Sequence, residues 1–450
     1  MKTPEHLNPR TPERPNSRPR VPKAHLFTTR LGAHLFLADG SRIYDVAPEV
    51  ADALLPSFEA GDAQTMDDLL TAFGLISEPY VADQPLQSPP LRALSLAVAQ
   101  KCNLGCTYCY ADGGDFGGGA SRMSLETGLS AVDLLLCDLK PGDRAQLIFL
   151  GGEPLINRPV LRAVTEAAAA RATRQDVRLQ FAITTNGTLL TPDDGEFFER
   201  HGFAVTVSID GVGAAHDRQR PHKGGAGSYA RILERVRPLL AMQSRMQVSA
   251  RATVTPANLD LRATLDTLIE QGFHTVGFSP LLRSPTGVGE MSPADLEAML
   301  AAMIACGEEF ERRLIAGGRY PFQNMMVALQ QLHRGTHRPY PCGAGAGYFG
   351  VSSDGDLFAC HRFVNDADGA MGDLQTGVDR SRQSRWLAER HVHRQEPCRS
   401  CWARYLCGGG CHHEVIRRGR PACDYIRGWL HYCLQDYVRL LEACPDHRFS

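Results

Sequence analysis

Between Leu91 and Phe278, short apolar runs alternate with longer stretches whose apolar residues recur at helical spacing. Residues 94–98 (Leu-Ser-Leu-Ala-Val), 147–150, 179–183, 204–209, 248–254 and 275–278 read as strands, being short, apolar and bounded by turn residues. Between them the pattern predicts helices: one with Leu125, Leu129, Val132 and Leu136 on a single face, then 160–172, a shorter one near 196–200, 229–241 and 261–270. Repeated βα units imply parallel strands joined by right-handed crossovers. The predicted class is therefore α/β, a curved sheet or partial (β/α)6 barrel over 91–320, with chemistry-bearing loops at the C-terminal ends of its strands.

The flanks break this rhythm. Residues 1–24 hold Pro9, Pro12, Pro15, Pro19 and Pro22 among polar residues and almost nothing apolar, which predicts a disordered tail. Over 25–80, the strand-like runs His25-Leu26-Phe27-Thr28, His34-Leu35-Phe36-Leu37 and Arg42-Ile43-Tyr44-Asp45-Val46 precede two helical stretches. This is an α+β order whose edge strand can pair with an extended peptide. A helix over 295–315 follows the βα region with Leu296, Leu300, Met303, Ile304 and Phe310 as core positions. Its Cys306 reads as a buried thiol, and Cys137 is read the same way. In the last part, 335–450, the informative pattern is the spacing of cysteines.

A chain of 450 residues, 43% hydrophobic and 22% charged, is long enough for two or three domains. A net charge of −2 gives no global attraction to nucleic acid or to a membrane surface, and neither is expected as a partner. No run of about 18 apolar residues occurs, and the first residues lack a charged-then-apolar signal, so a soluble cytoplasmic protein is expected. In that compartment disulfides are disfavoured, and 14 cysteines, many of them clustered, point to metal ligands or catalytic groups.

Three of them, Cys102, Cys106 and Cys109, fall at CxxxCxxC spacing just after the first barrel strand. A structural zinc site wants four protein ligands, whereas three thiolates leave a cubane iron–sulfur cluster with one iron open. The second strand ends in Gly151-Gly152-Glu153-Pro154, where two glycines let backbone approach a ligand and Glu153 is presented to it. Asn186 closes the third strand, Ser208 and Asp210 the fourth, and Arg251 lies on the fifth. Turn chemistry at Asn-Gly and Asp-Gly explains the first three equally well, and a solvated arginine explains the last. Near the end stand Cys342, Cys360, Cys398, Cys401, Cys407, Cys411 and Cys423, for which a zinc ribbon is the plain alternative.

Taken together, CxxxCxxC and GGEP one βα unit later resemble the signature of radical S-adenosylmethionine (SAM) enzymes. That resemblance implies a [4Fe–4S] cluster on Cys102, Cys106 and Cys109, with SAM on its open iron near Tyr108, Gly151, Gly152, Glu153, Asn186, Ser208, Asp210 and Arg251 or, ranked lower, Arg220. The module at 25–80 resembles a winged-helix peptide-recognition module. The cysteines after 335 resemble a SPASM domain, which implies two auxiliary [4Fe–4S] clusters and so three in all. Cys398, Cys401, Cys407 and Cys423 would serve the outer one, and Cys342, Cys360 and Cys411 the inner one. No cysteine follows shortly after Cys342, which leaves the inner set open to a substrate thiolate unless Cys433 or Cys444 completes it; Cys433 is also an alternative to Cys423.

The run Cys401-Trp402-Ala403-Arg404-Tyr405-Leu406-Cys407-Gly408-Gly409-Gly410-Cys411-His412-His413-Glu414, with Cys423-Asp424-Tyr425 after it, is similar to the maturation enzymes of quinohemoprotein amine dehydrogenase. The resemblance implies thioether crosslinks between cysteine sulfur and Asp or Glu methylene carbons in the small subunit of that enzyme, formed through a 5′-deoxyadenosyl radical. A ribosomally made peptide would be the substrate, and a ferredoxin or flavodoxin the electron donor. His361, Glu414 and Asp424 are candidate bases for the thiol proton. Two alternatives stay open: another SPASM peptide modifier such as a sulfatase-maturing, formylglycine-forming enzyme, or a zinc-binding scaffold without catalysis.

Overall fold

The computed structural model describes residues 24–75, 81, 83–335, 337–445, 447 and 449. The proline-rich stretch expected to be a disordered tail lies outside the described residues except for Ala24, which instead opens the first strand. That strand, β1 (Ala24–Thr29), with β2 (Gly32–Leu37) and β3 (Arg42–Val46), forms an antiparallel meander followed by α1 (Pro48–Ala60) and α2 (Ala63–Ala72). Alternation along β2 sends Leu35 and Leu37 inward, where they meet Leu54, Met66 and Leu70 in a small core of their own.

β1 is fastened to the C-terminal region: the His25 ring stacks on Trp402 at 4.0 Å, and its Nε2 lies 2.9 Å from His431 Nδ1. A buried ion pair, Asp39 to Arg404 at 3.3 Å, strengthens the same seam.

Next come β4 (Ala93–Gln100), β5 (Ser121–Arg122), α3 (Leu125–Leu136), β6 (Arg144–Gly151), α4 (Arg158–Arg174), β7 (Arg178–Thr185) and α5 (Pro192–His201). The series continues with β8 (Ala204–Ser208), α6 (Ala214–Gln219), α7 (Tyr229–Met242), β9 (Gln247–Val254), α8 (Leu261–Glu270) and β10 (Val276–Pro280). Strands β4, β6, β7, β8, β9 and β10 are parallel and adjacent in chain order, each βα unit adding at the same growing edge. This is the partial barrel that the alternating pattern predicts. β4 is buried along all but its first residue, as a strand covered on both faces must be.

Cys137 corrects the expectation of a buried thiol. It follows the last turn of α3 and is exposed, while Cys306 is fully buried as expected. Without a cysteine neighbour Cys137 reads as buried, but it continues the turn of α3 on the side of exposed Asp133, four residues earlier, and away from buried Leu135 and Leu136.

Asp194 ties α4 to α5. Its buried carboxylate accepts from Arg158 Nε (2.7 Å) and Nη2 (2.9 Å) and from Arg162 Nη2 (3.0 Å) while capping α5 through Thr191. Burial alone would raise its pKa; the guanidinium of Arg158, with Arg162 and Thr191, outweighs that and holds it below 3.8. Asp194→Ala is expected to cost about 2–3 kcal/mol, less than a fully buried pair because both guanidiniums are about one-third exposed. A folded pKa below the unfolded one contributes stability above the unfolded value, and this contribution is lost as pH falls through the folded value. Urea midpoints measured from neutral to acid pH should therefore converge for the two proteins at the acid end.

The remaining elements are α9 (Pro293–Ile315), α10 (Gln323–Arg334), β11 (Tyr348–Val351), β12 (Asp356–Phe358), β13 (Ala370–Asp373), β14 (Gly377–Val378), α11 (Arg380–Arg390), α12 (Arg404–Cys407), α13 (His412–Arg418) and α14 (Cys423–Ala443). β11 lies parallel to β4, Tyr348 opposite Ala93, and carries β12, β13 and β14 onto the same sheet. The boundary expected between 320 and 335 is thus no break in the sheet. Among the described residues, no helix is long and apolar enough to cross a membrane.

Candidate active site

The loop after β4 brings Cys102, Cys106 and Cys109 together. Burial raises all three thiol pKa values, and each thiol is also raised by the charge of another: Cys102 by Cys106, Cys106 by Cys109 and Cys109 by Cys102. Two glycines make room for this loop. A Cβ on Gly152 would stand 2.5 Å from the Lys101 carbonyl, and one on Gly114, whose φ is +107°, would stand 2.7 Å from Cys102 Cβ.

Glu153 departs from its expected role. Its side chain is fully buried, with Oε1 accepting from Thr185 Oγ1 (2.8 Å) and Leu155 N (3.1 Å) and Oε2 from Asn186 N (2.7 Å). The carboxylate locks the end of β6 to the end of β7. Burial raises its pKa against these three donors.

Asn186, closing β7, donates Nδ2 to Asn103 Oδ1 (2.9 Å) and points the same nitrogen at Cys102 Sγ, 3.7 Å away. Asp210 is also spent differently from the ribose contact expected of it. It is buried, accepts from Thr253 N (2.9 Å) and the Tyr108 hydroxyl, and lies 3.6 Å from Arg220 Nη1. Ser208 ends β8 half-buried, opposite Arg251 on β9.

Arg220, ranked last in sequence, holds the central place. Its Nη1 donates to Tyr108 Oη at 2.5 Å, its charge lowers the pKa of Cys106 and Cys109, and its buried Nε has no partner among the described residues. Arg251 points elsewhere: it donates to Ser279 Oγ and lies near Tyr425 of α14.

The later cysteines sort into two groups. Burial pushes the Cys360 thiol up to about 12, with Cys411 and Cys342 acting in the same direction, and Cys342 in turn feels Cys411. Burial likewise pushes Cys398 up to about 11, reinforced by Cys407, Cys423 and Cys401. These are the inner three and outer four of the sequence pattern. Cys433 joins neither: it is fully buried with Sγ 3.9 Å from Met325 Sδ, between α10 and α14. Cys444 caps the far end of α14. Among the described residues no His, Cys, Asp or Glu group closes on one point to hold a single ion, so the grouping rests on which thiols feel one another's charge.

Between the strand ends and these thiols lies a cavity of about 590 Å³. Tyr108 and Tyr110 wall it on the barrel side; His361, Glu414 and Cys411 face it from the other. Tyr110 stands between the groups, close enough to feel both Cys109 and Cys360, with the Arg362 guanidinium over its ring at 5.2 Å. No sequence signal beyond its place after Cys109 marked it.

The three candidate bases part company here. His361 bonds the Tyr348 hydroxyl through Nδ1 (2.7 Å), and burial with Arg362 lowers its pKa to about 4. Glu414 is held by Arg362 Nη1 at 2.8 Å. Asp424 does not reach the cavity: its side chain is 95% exposed and pairs with Arg427 on the outside of α14. It is the residue after Cys423, and the helix turns it outward.

The family model of the Radical SAM superfamily matches residues 96–268, which run from β4 to α8 and hold the loop of Cys102, Cys106 and Cys109. Across more of the chain, it is 25% identical over 362 residues to the Serine-type anaerobic sulfatase-maturating enzyme of Klebsiella aerogenes, covering 77% of this chain and 86% of that one. The Cysteine-type anaerobic sulfatase-maturating enzyme of Clostridium novyi is 23% identical over 345 residues, 71% and 88% of the two chains. The solved structure of native anSMEcpe with bound AdoMet and Cp18Cys peptide has a TM-score of 0.64 at 19% identity, covering 79% of this chain and 99% of that one.

The barrel-mouth residues fit an iron–sulfur cluster with SAM. Three half-buried thiols that raise one another's pKa favour a cationic group that holds them as thiolates, and Gly114 and Gly152 leave them space.

Proposed function

We propose that this chain is a radical SAM peptide maturase of the SPASM type, joining a cysteine sulfur of a ribosomally made peptide to an Asp or Glu methylene carbon. The observation that carries this reading is the inner group of three thiols, Cys342, Cys360 and Cys411, which Cys433 and Cys444 do not complete. Bound groups would supply a one-electron reductant with a hydrogen-abstracting radical at Cys102, Cys106 and Cys109, and at the inner trio a position that keeps a substrate thiol deprotonated.

The chain's own residues do the rest. Arg220 and Asp210 fix Tyr108 in the cavity wall, Asn186 orients Cys102, and the cavity encloses the peptide away from bulk water. His361 faces the cavity and is the candidate acceptor for the thiol proton. The outer four thiols would hold the cluster that passes surplus electrons to or from a carrier of the ferredoxin or flavodoxin kind. The N-terminal meander is assigned to peptide docking.

A second reading, formylglycine formation on a sulfatase, is favoured by the relatives named above. Anaerobic incubation with SAM, reductant and the peptide encoded beside this gene separates the two. Thioether formation removes hydrogen, consumes the thiol against alkylation and leaves no aldehyde. Formylglycine is captured by a hydrazide probe, and that result would overturn the first reading.

A further inference from the structure

Two cavities meet at the outer thiols. Cys401, with Pro397 and Arg427, lines the large interior cavity and also a surface groove of about 480 Å³. The outer group is therefore a partition between the two. The groove runs between β1 and α1 on one side and the loop that carries Cys401 on the other. Its floor is apolar and aromatic, with Trp402, Phe58 and Leu55 beside the His25 ring that stacks on Trp402. A molecule seated in the groove meets the outer thiols from outside while a peptide occupies the interior cavity.

Charge gives this face its sign. Residues 390–427, which hold the outer four thiols, carry eight arginines and no lysine against three carboxylates, in a chain of net charge −2. Three of the arginines are spent on carboxylates from elsewhere: Arg404 on Asp39, Arg417 on Asp366 and Asp368, and Arg418 on Glu290. Glu414 is spent on Arg362. That leaves Arg390, Arg394, Arg399, Arg420 and Arg427 against Glu396 and Asp424, both exposed.

Among the described residues Arg394 has no carboxylate within ion-pair distance, and it lies exposed on the turn Val392–Arg394, which packs against the turn Cys398–Ser400. Arg399 is exposed on that second turn, and Arg427 lines the groove itself. The carboxylate in the groove lining, Glu59, stands on α1, so the cations crowd the thiol side. Surface cations around one opening raise the local concentration of anionic partners and set their orientation.

We infer that this face docks an acidic protein that carries one electron at a time, its redox centre turned into the groove toward Cys401. The inference rests on the reading of the outer four thiols as the redox end of the chain. It adds the surface, the sign of the partner's charge, and Arg394 and Arg399 as the residues that select the partner. A cationic rim beside an apolar floor suits a folded acidic surface around an exposed apolar redox edge.

The test uses the full chain with its clusters reconstituted, and an acidic flavodoxin as the probe. Binding of oxidised flavodoxin, read by calorimetry, should weaken about tenfold or more between about 20 and about 200 mM salt, because salt screens charges across a wet rim. Arg394→Glu with Arg399→Glu should weaken it about tenfold or more at low salt, and the milder pair Arg394→Gln with Arg399→Gln about threefold. Arg174→Glu, exposed at the end of α4 away from the barrel mouth, should leave it within about twofold of native. Parvalbumin, acidic but without a redox centre, should bind about tenfold more weakly than flavodoxin, since it has no edge to fill the groove.

In the same proteins, 5′-deoxyadenosine release driven by reduced flavodoxin should fall about tenfold in the double Glu variant, while release driven by dithionite, which needs no docking, stays at the native level. The inference is overturned if flavodoxin does not bind the native protein or binds it regardless of salt. It is also overturned if both double variants bind as the native protein does, if parvalbumin binds equally well, or if the dithionite-driven rate falls in step with the flavodoxin-driven one. The reading on which it rests fails separately, as a reconstituted protein whose iron suffices for the barrel thiols alone.

Discussion

Cys106→Ala is expected to abolish reductive cleavage of SAM, by about a thousandfold or more, equivalent to ~4 kcal/mol or more on the barrier. The thiol is half-buried and feels the charges of Arg220, Cys109 and Asp210. The seven later cysteines are untouched, so the variant should keep its brown colour and about two-thirds of the native iron, while 5′-deoxyadenosine falls to background. Chromatography of an anaerobic, dithionite-reduced reaction measures the one and an iron assay the other. Cys137→Ala is the control: an exposed thiol at the end of α3 should leave both values as they are.

Cys360→Ala is expected to separate the two halves of the reaction. Cys360 is buried, feels the charges of Cys342 and Cys411, and shares Tyr110 as a neighbour with Cys109. Its loss should leave SAM cleavage within about tenfold of native but lower modified peptide by about a hundredfold or more, because positioning and thiolate stabilisation act only on the peptide. The measured quantity is the ratio of 5′-deoxyadenosine to modified peptide, which should rise steeply. An unchanged ratio would mean that the inner trio plays no part in handling the substrate.

Much of this architecture was legible in the chain because its signals are local. Strand runs such as Leu147-Ile148-Phe149-Leu150 and the helix face of Leu125, Leu129, Val132 and Leu136 need only their own spacing to be read, and the motifs follow the strand ends that the runs define. β11 was not legible, since a strand of four residues carries no usable period, yet it is what joins the C-terminal region to β4. α14 carries a helical period in Trp429, Cys433 and Leu440, masked in the sequence by the spacing of Cys423 and Cys433 with the other cysteines.

Side-chain direction was the other gap. Sequence put Glu153 at the mouth of the barrel correctly, but its carboxylate is claimed by Thr185, Asn186 and Leu155, partners that only the fold supplies. In the sequence Arg220 ranks below Arg251 as a partner for the SAM carboxylate. Only the meeting of α6 with Tyr108 and Asp210 makes it the cation of the site. The bracketing of α6 by Asp210 and Arg220 was the available hint, and an opposite-charge pair across so short a helix is common enough on surfaces to be passed over.

The central claim is that a radical generated beside Cys102, Cys106 and Cys109 abstracts a hydrogen atom from a side-chain methylene of an acidic residue in the bound peptide. Deuterium placed on the side-chain methylenes of that residue follows the hydrogen directly. After anaerobic turnover, 5′-deoxyadenosine analysed by mass spectrometry should carry the deuterium, and a peptide labelled only on its cysteine or serine β-carbons should give none. Deuterium arriving from the cysteine or serine β-carbon, with none from the acidic residue, would contradict the account and assign the chemistry to formylglycine formation.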